Sequence, residues 1–171
     1  MIPIDWLEQN APGFRELSED ERTAITDFSF LWSLFEAKAL NERGSTDAIV
    51  EATKRWTGKG LLPEDIFEPQ VAYFRNRYFA DGEFTYHFDH LHLRRNDAPD
   101  LVKEVLRNED ADPGEVTAAL LIIVCRFRNN LFHGAKWSYE LRGQLENFNH
   151  ANMVLMKAIE LHDNSDRGEP A

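Results

Sequence analysis

The sequence has almost no cysteine, no long apolar run and little positive charge. Its single cysteine, Cys125, cannot form an internal disulfide. That excludes a disulfide-stapled scaffold and fits a reducing, cytoplasmic setting. The longest apolar run, Ala118 to Cys125, falls far short of the roughly 18 residues a membrane-spanning helix needs, so no membrane association is expected. The opening stretch MIPIDWLEQNAPGF lacks a basic start and a long apolar core, so no secretory signal is read there. Lys and Arg number 19 against 30 Asp and Glu, for a net charge of −11. This excludes a protein that coats nucleic acid through bulk electrostatics, because phosphate binding rests on Lys and Arg. A small basic site on an acidic body stays open. Internal repeats and low-complexity tracts are also missing.

What remains is a chain of 171 residues with 43% hydrophobic and 29% charged residues, the composition of an ordinary globular protein. The length suits one domain over 1–171 and is too short for two. The patterning is almost entirely helical. Ser18 and Glu21 make a capping-box pair at the head of a segment in which Ile25, Phe28, Trp32, Phe35 and Ala39 recur at helical spacing, with Gly44 closing it. STDAIVEATKRW predicts a shorter helix, and Pro69 should kink or restart the one in PEDIFEPQVAYFRNRYF. Residues 80–98 read as short accessory elements, either a loop leading into a small helix or a hairpin. PDLVKEVLRN is a helix, followed by an acidic linker. Asp112, Pro113 and Glu115 then provide a cap, a first-turn proline and an acid for a helix running to about Phe132. Ser138 should cap a last long helix with Leu141, Leu145, Phe148, Leu155 and Ile159 along one face, and 163–171 should be a disordered tail. The expected fold is all-α, a bundle of about four to six helices.

The chemistry-bearing residues cluster in CRFRNNLFHGAKW, residues 125–137. Between Cys125 and Arg142 four basic residues, Arg126, Arg128, Lys136 and Arg142, face one acid, Glu140. Asn129 and Asn130 are poor interior helix residues, because their side chains compete for backbone hydrogen bonds. Gly134 suits the position just past a helix end. The residue at that end, His133, is of the one side-chain type whose ordinary pKa suits proton transfer near neutral pH. Arg128 and His133 are five residues apart, which is roughly 140° around an ideal helix. They converge only if the helix loosens before His133 or if two copies of the motif meet.

RNNLFHG at 128–134, an Arg-x-x-x-x-His at the end of an apolar helix with Asn directly after the Arg, resembles the motif of HEPN domains (higher eukaryotes and prokaryotes nucleotide-binding). An aromatic-rich early helix, an irregular middle, the motif helix and a long closing helix extend the resemblance over about residues 18–162. It implies a HEPN-like helical bundle that acts as a metal-independent endoribonuclease without a cofactor. Such domains usually pair, so the resemblance implies a homodimer with a composite cleft. The ribose 2′-OH would be the nucleophile, leaving a 2′,3′-cyclic phosphate and a 5′-OH. Carried onto this chain, His133 would be the general acid/base, Arg128 would bind the scissile phosphate, and Asn129 would orient Arg128, His133 or the phosphate by hydrogen bonds. Arg126, Asn130 and Lys136 would contact substrate. The family setting implies a prokaryotic toxin–antitoxin, antiviral or stress system, with room for an inhibitory protein partner. One departure stands out: a Tyr two residues after the His is frequent in toxins neutralised through that Tyr, and here the position is Ala135.

Other residues bear on the site. Glu36, a carboxylate among apolar neighbours, is a candidate ion-pair partner for Arg126 or Arg128. Arg94 and Arg95 are candidate RNA contacts. His87, Asp89, His90 and His92 together invite a metal reading, although no thiolate helps. Two other function classes follow. One is a catalytically silent HEPN-like module that dimerises or holds a nucleotide or RNA. The other is a metal-dependent hydrolase built on the histidine cluster, which a chelator would inactivate.

Overall fold

The structure, a computed structural model, describes residues 2–132 and 141–167. It is an all-α bundle. Its helices are α1 (Pro3–Asn10), α2 (Glu19–Ala39), α3 (Thr46–Gly58), α4 (Glu68–Tyr78), the single turn α5 (Tyr86–Asp89), α6 (Pro99–Arg107), α7 (Pro113–Phe132) and α8 (Leu145–Arg167). Two-residue strands β1 (Phe79–Ala80) and β2 (Glu83–Phe84) form one antiparallel hairpin, pairing Phe79 with Phe84 and Ala80 with Glu83. Asp81 and Gly82 both have positive φ in its turn, as a two-residue loop that follows strand twist requires. The accessory region therefore holds both a hairpin and a short helix.

α7 is the axis of the molecule. Every residue from Thr117 to Phe127 is buried, and a helix apolar all round has to be enclosed on all sides. Asp112 caps its first turn, its Oδ1 accepting from the Gly114 and Glu115 amides at 2.8 and 3.4 Å. α3 runs antiparallel to it: Gly114 abuts the Thr57 hydroxyl at one end, and the Gly44 carbonyl meets Cys125 Sγ at 3.9 Å at the other. α2 and α8 lie side by side in the same direction. Gly143, just before α8, donates to Glu21 near the start of α2 at 2.6 Å. Lys38 near the end of α2 meets Asp163 at 2.6 Å.

The capping box of Ser18 and Glu21 is complete, and Pro69 restarts a helix, standing in the first turn of α4. Phe28, Trp32 and Phe35 are core residues, whereas Phe30 between them is 73% exposed. Three expectations need correction. α2 stops at Ala39, five residues before Gly44, because Asn41 and Glu42 turn the chain with φ of 50° and 61°. Leu141 is buried but lies in the turn ahead of α8, not on its face. Residues 163–167 belong to the last turns of α8, tied by the Asp163–Lys38 pair and by Lys59 Nζ donating to the Ser165 carbonyl at 2.6 Å. Ser138 lies outside the described residues. Among those described, no helix is long and apolar enough to cross a membrane.

Candidate functional site

Near its C-terminal end α7 leaves the core, and its polar residues diverge onto two faces. Arg126 and Arg128 are two residues apart, about 200° around the helix. The structure uses them differently.

Arg128 is partly exposed and meets α2. Its Nη1 donates to Asn129 Oδ1 at 3.0 Å, and its Nη2 lies 3.7 Å from Glu36 Oε2. The same carboxylate oxygen accepts from the Trp32 indole Nε1 at 2.7 Å. Trp32 and Glu36 are one helical turn apart, which places indole and carboxylate on one face of α2. The guanidinium carbon lies 5.8 Å from the Trp32 ring centroid and 6.0 Å from that of Phe132, within cation–π range of both. Gly44 closes over Glu36 from the loop after α2: a Cβ at residue 44 would collide with Glu36 Oε1. Glu36 is thus held by an indole N–H and a glycine wall, and it holds Arg128. Asn129 bridges further inward, its Nδ2 lying 3.8 Å from Cys125 Sγ. Burial pushes the Cys125 thiol up to about 11, against the opposing pull of Arg128 and Arg126.

Arg126 and Asn130 were expected at the substrate and are instead built into the interior, at 3% and 5% exposure. Arg126 Nε donates to the Leu91 carbonyl at 3.1 Å, Nη1 pairs with Asp97 at 3.2 Å, and Nη2 reaches Asn130 Oδ1 at 3.4 Å. Asn130 Nδ2 lies 3.4 Å from both the His90 and Leu91 carbonyls. Burial pulls the Arg126 pKa down and Asp97 opposes this, but a guanidinium stays charged in either case. The pair staples the accessory segment onto α7 because the enclosed carbonyls and the partly buried Asp97 carboxylate need donors there. The i, i+4 spacing of Arg126 and Asn130 was the available signal. What it lacked was the identity of the facing segment.

Sequence reasoning missed Trp32 and Gly44 as parts of the site, and Asp97 as the counter-charge of Arg126. Asp97 also receives Thr46 Oγ1 at 3.4 Å, which ties the accessory segment to the start of α3. The histidines there do not form a ligand set: among the described residues no three His, Cys, Asp or Glu side chains converge as a metal would require. His90 Nδ1 donates to the Tyr86 carbonyl at 2.9 Å. Burial, with help from Arg77 and His90, lowers the pKa of His87. His133 and Lys136 lie outside the described residues. No family model, curated protein or solved structure matches this chain.

Proposed function

We propose that the protein is a metal-independent endoribonuclease of the HEPN type, with Arg128, Asn129 and His133 as its working residues. The observation that supports this most is the cradle of Arg128. A guanidinium at the end of a buried helix is fixed by Glu36 and Asn129, and about a quarter of its side chain is still open to solvent, at 28% exposure. A fixed, partly accessible guanidinium suits a phosphodiester, because its planar fork can meet two phosphate oxygens at once.

In the proposed reaction the 2′-OH gives its proton to His133 as the 2′-oxygen attacks phosphorus. The bond from phosphorus to the 5′-oxygen breaks, and that oxygen takes a proton from a second His133, supplied by a paired copy. The pentavalent transition state carries extra negative charge, and Arg128 stabilises it where it forms. Asn129, as hydrogen-bond acceptor of Arg128, sets the direction of the fork. A prokaryotic defence, toxin or stress setting, with an inhibitory protein to restrain the activity, fits such a nuclease.

The test is cleavage of mixed-sequence single-stranded RNA in excess EDTA, comparing the parent chain with His133→Ala and Arg128→Ala. Cyclic phosphate and 5′-OH ends, lost in both variants by about a hundredfold or more, are the expected result. Cutting that needs a metal, or that survives His133→Ala, would overturn the reading. Binding of RNA without cutting would leave a catalytically silent module.

A further inference from the structure

The proposed reaction does not use the segment from Tyr86 to Arg95. We propose that it is a rim for single-stranded RNA, with Tyr86 taking an unpaired base and Arg94 and Arg95 taking the flanking phosphates. This rests on the reading of RNA as substrate and names a surface for nucleotides outside the scissile step.

The placement carries the argument. His90 and Leu91 are bonded through their carbonyls to Asn130 and Arg126, so the segment is fixed to the last turns of α7 on the Arg126 face, about 200° around the helix from Arg128. Its backbone is held in costly shapes at both ends of the arginine stretch: His92 and Ala98 have φ of 51° and 47°, conformations non-glycine residues adopt only when their surroundings impose them. Asp97, the nearest acid in sequence, is already engaged by Arg126, by Thr46 and by the Arg94 amide at 2.7 Å. Arg94 and Arg95 are exposed, and among the described residues neither has an ion-pair partner.

Charge alone would suit any anion. The aromatic component points to unpaired bases. Tyr86 is 70% exposed, and its ring lies 4.0 Å from that of His90 at a 49° tilt. The His87 ring lies 5.5 Å from the Tyr86 ring as well, so two imidazoles flank the phenol while most of it stays open to solvent. A supported, solvent-facing aromatic on the same short segment as exposed arginines is how sequence-tolerant single-strand binding is built: the ring stacks on a base and the cations follow the backbone. A duplex keeps its bases stacked on each other and offers the ring nothing.

The test is fluorescence anisotropy with a labelled single-stranded oligonucleotide of 2′-deoxy sugars, which lacks the attacking hydroxyl and cannot be cut by this chemistry. The expected result is that Tyr86→Ala weakens binding about fivefold or more while Tyr86→Phe does not. Arg94→Ala with Arg95→Ala should lower the slope of log affinity against log salt by about 1.4, two single-strand phosphate contacts. Lys54→Ala, an exposed cation on α3, should change neither, and a duplex of the same sequence should bind more weakly than the single strand. Equal binding by parent and rim variants would overturn the rim even if RNA cutting is confirmed. Failure of the parent to bind at low salt would overturn it too. Rim-dependent binding without cleavage would sustain the rim and defeat the nuclease reading, so the two fail separately.

Discussion

Glu36 lies between two constraints that act on opposite sides of one carboxylate. Trp32 supplies a donor to Oε2, and Gly44 leaves Oε1 just enough room. If the carboxylate matters only because it aims Arg128, then removing its charge and displacing it should have the same effect. Glu36→Gln and Gly44→Ala should each reduce RNA cleavage roughly tenfold, since a reacting group misplaced by a fraction of an ångström loses rate steeply. The double variant should be little worse than either single, because side chains in contact act as one unit and their losses do not add. Fully additive losses in kcat/KM would mean that Gly44 works on something other than Glu36. Cys125 gives a separate check at the same scale. With its thiol buried and held at about 11, it should resist alkylation by iodoacetamide at pH 8 in the folded protein and react promptly in urea. Rapid labelling of the native chain would mean that the end of α7 opens far more often than its packing implies.

Among the elements, the joint between α7 and the accessory segment depends on Arg126. Asp97→Ala would leave this guanidinium nearly enclosed and uncompensated. Losing one partner of a buried pair costs on the order of 3 kcal/mol, and the readout is a lower urea midpoint with little change in slope. A shift below about 0.5 kcal/mol would place the joint in the surface class of ion pairs. A second joint, between the starts of α2 and α8, depends on pH. Burial alone would raise the Glu21 pKa, but amide hydrogen bonds from Ser18 and Gly143, the Ser18 hydroxyl and Arg142 outweigh it and set it below the ordinary value of 4.5. A depressed carboxylate adds stability above its unfolded pKa and loses it as pH falls through the folded one. Thermal melts should therefore show Glu21→Gln losing less stability than the parent between pH 5 and pH 2. An equal loss would assign acid sensitivity to other carboxylates. These joints also mark the limit of what the sequence conveys. Ser18 with Glu21, Pro69 and the Asp112–Pro113 pair act within one helical turn, so the helix starts were legible. The eight residues of α1 bury none of their side chains, so no long core-facing repeat marks them in the sequence. Arg126 and Arg128 look alike in a linear motif, and only the segment folded back from residues 90–97 decides that one faces the interior and the other the surface. Glu36 could be suspected from its apolar neighbours, but Gly44 looked like a helix stop because its contact with Glu36 depends on the path of the intervening loop.

Among the described residues, an acidic groove and an arginine-bearing end stand at opposite ends of α7. Around its N-terminal end Glu64, Asp65, Glu68 and Glu109 line a shallow groove with Arg75, Pro113 and Val116. Within that groove Arg75 is committed, donating to the Val105 and Asn108 carbonyls. The other end carries Arg128 on one face and, on the segment stapled to the Arg126 face, Arg94 and Arg95. The twenty residues of α7 separate the two ends by about 30 Å at 1.5 Å per residue. A net charge of −11 would repel RNA from most of the surface, so this separation matters for approach more than for the bound state. At physiological ionic strength the Debye length is about 8 Å, and the acidic end is several such lengths from the site. Neutralising it through Glu64→Gln, Glu68→Gln and Glu109→Gln together should change single-strand affinity less than about twofold at 0.15 M salt. At 0.01 M the screening length grows to about 30 Å, and the same variant should then associate measurably faster, because the repulsion it removes now reaches the incoming strand. Stopped-flow association at the two salt concentrations separates the cases. A several-fold gain in affinity at 0.15 M would mean that the strand passes over the acidic groove itself, and binding would then have to be moved away from the Arg128 end of α7.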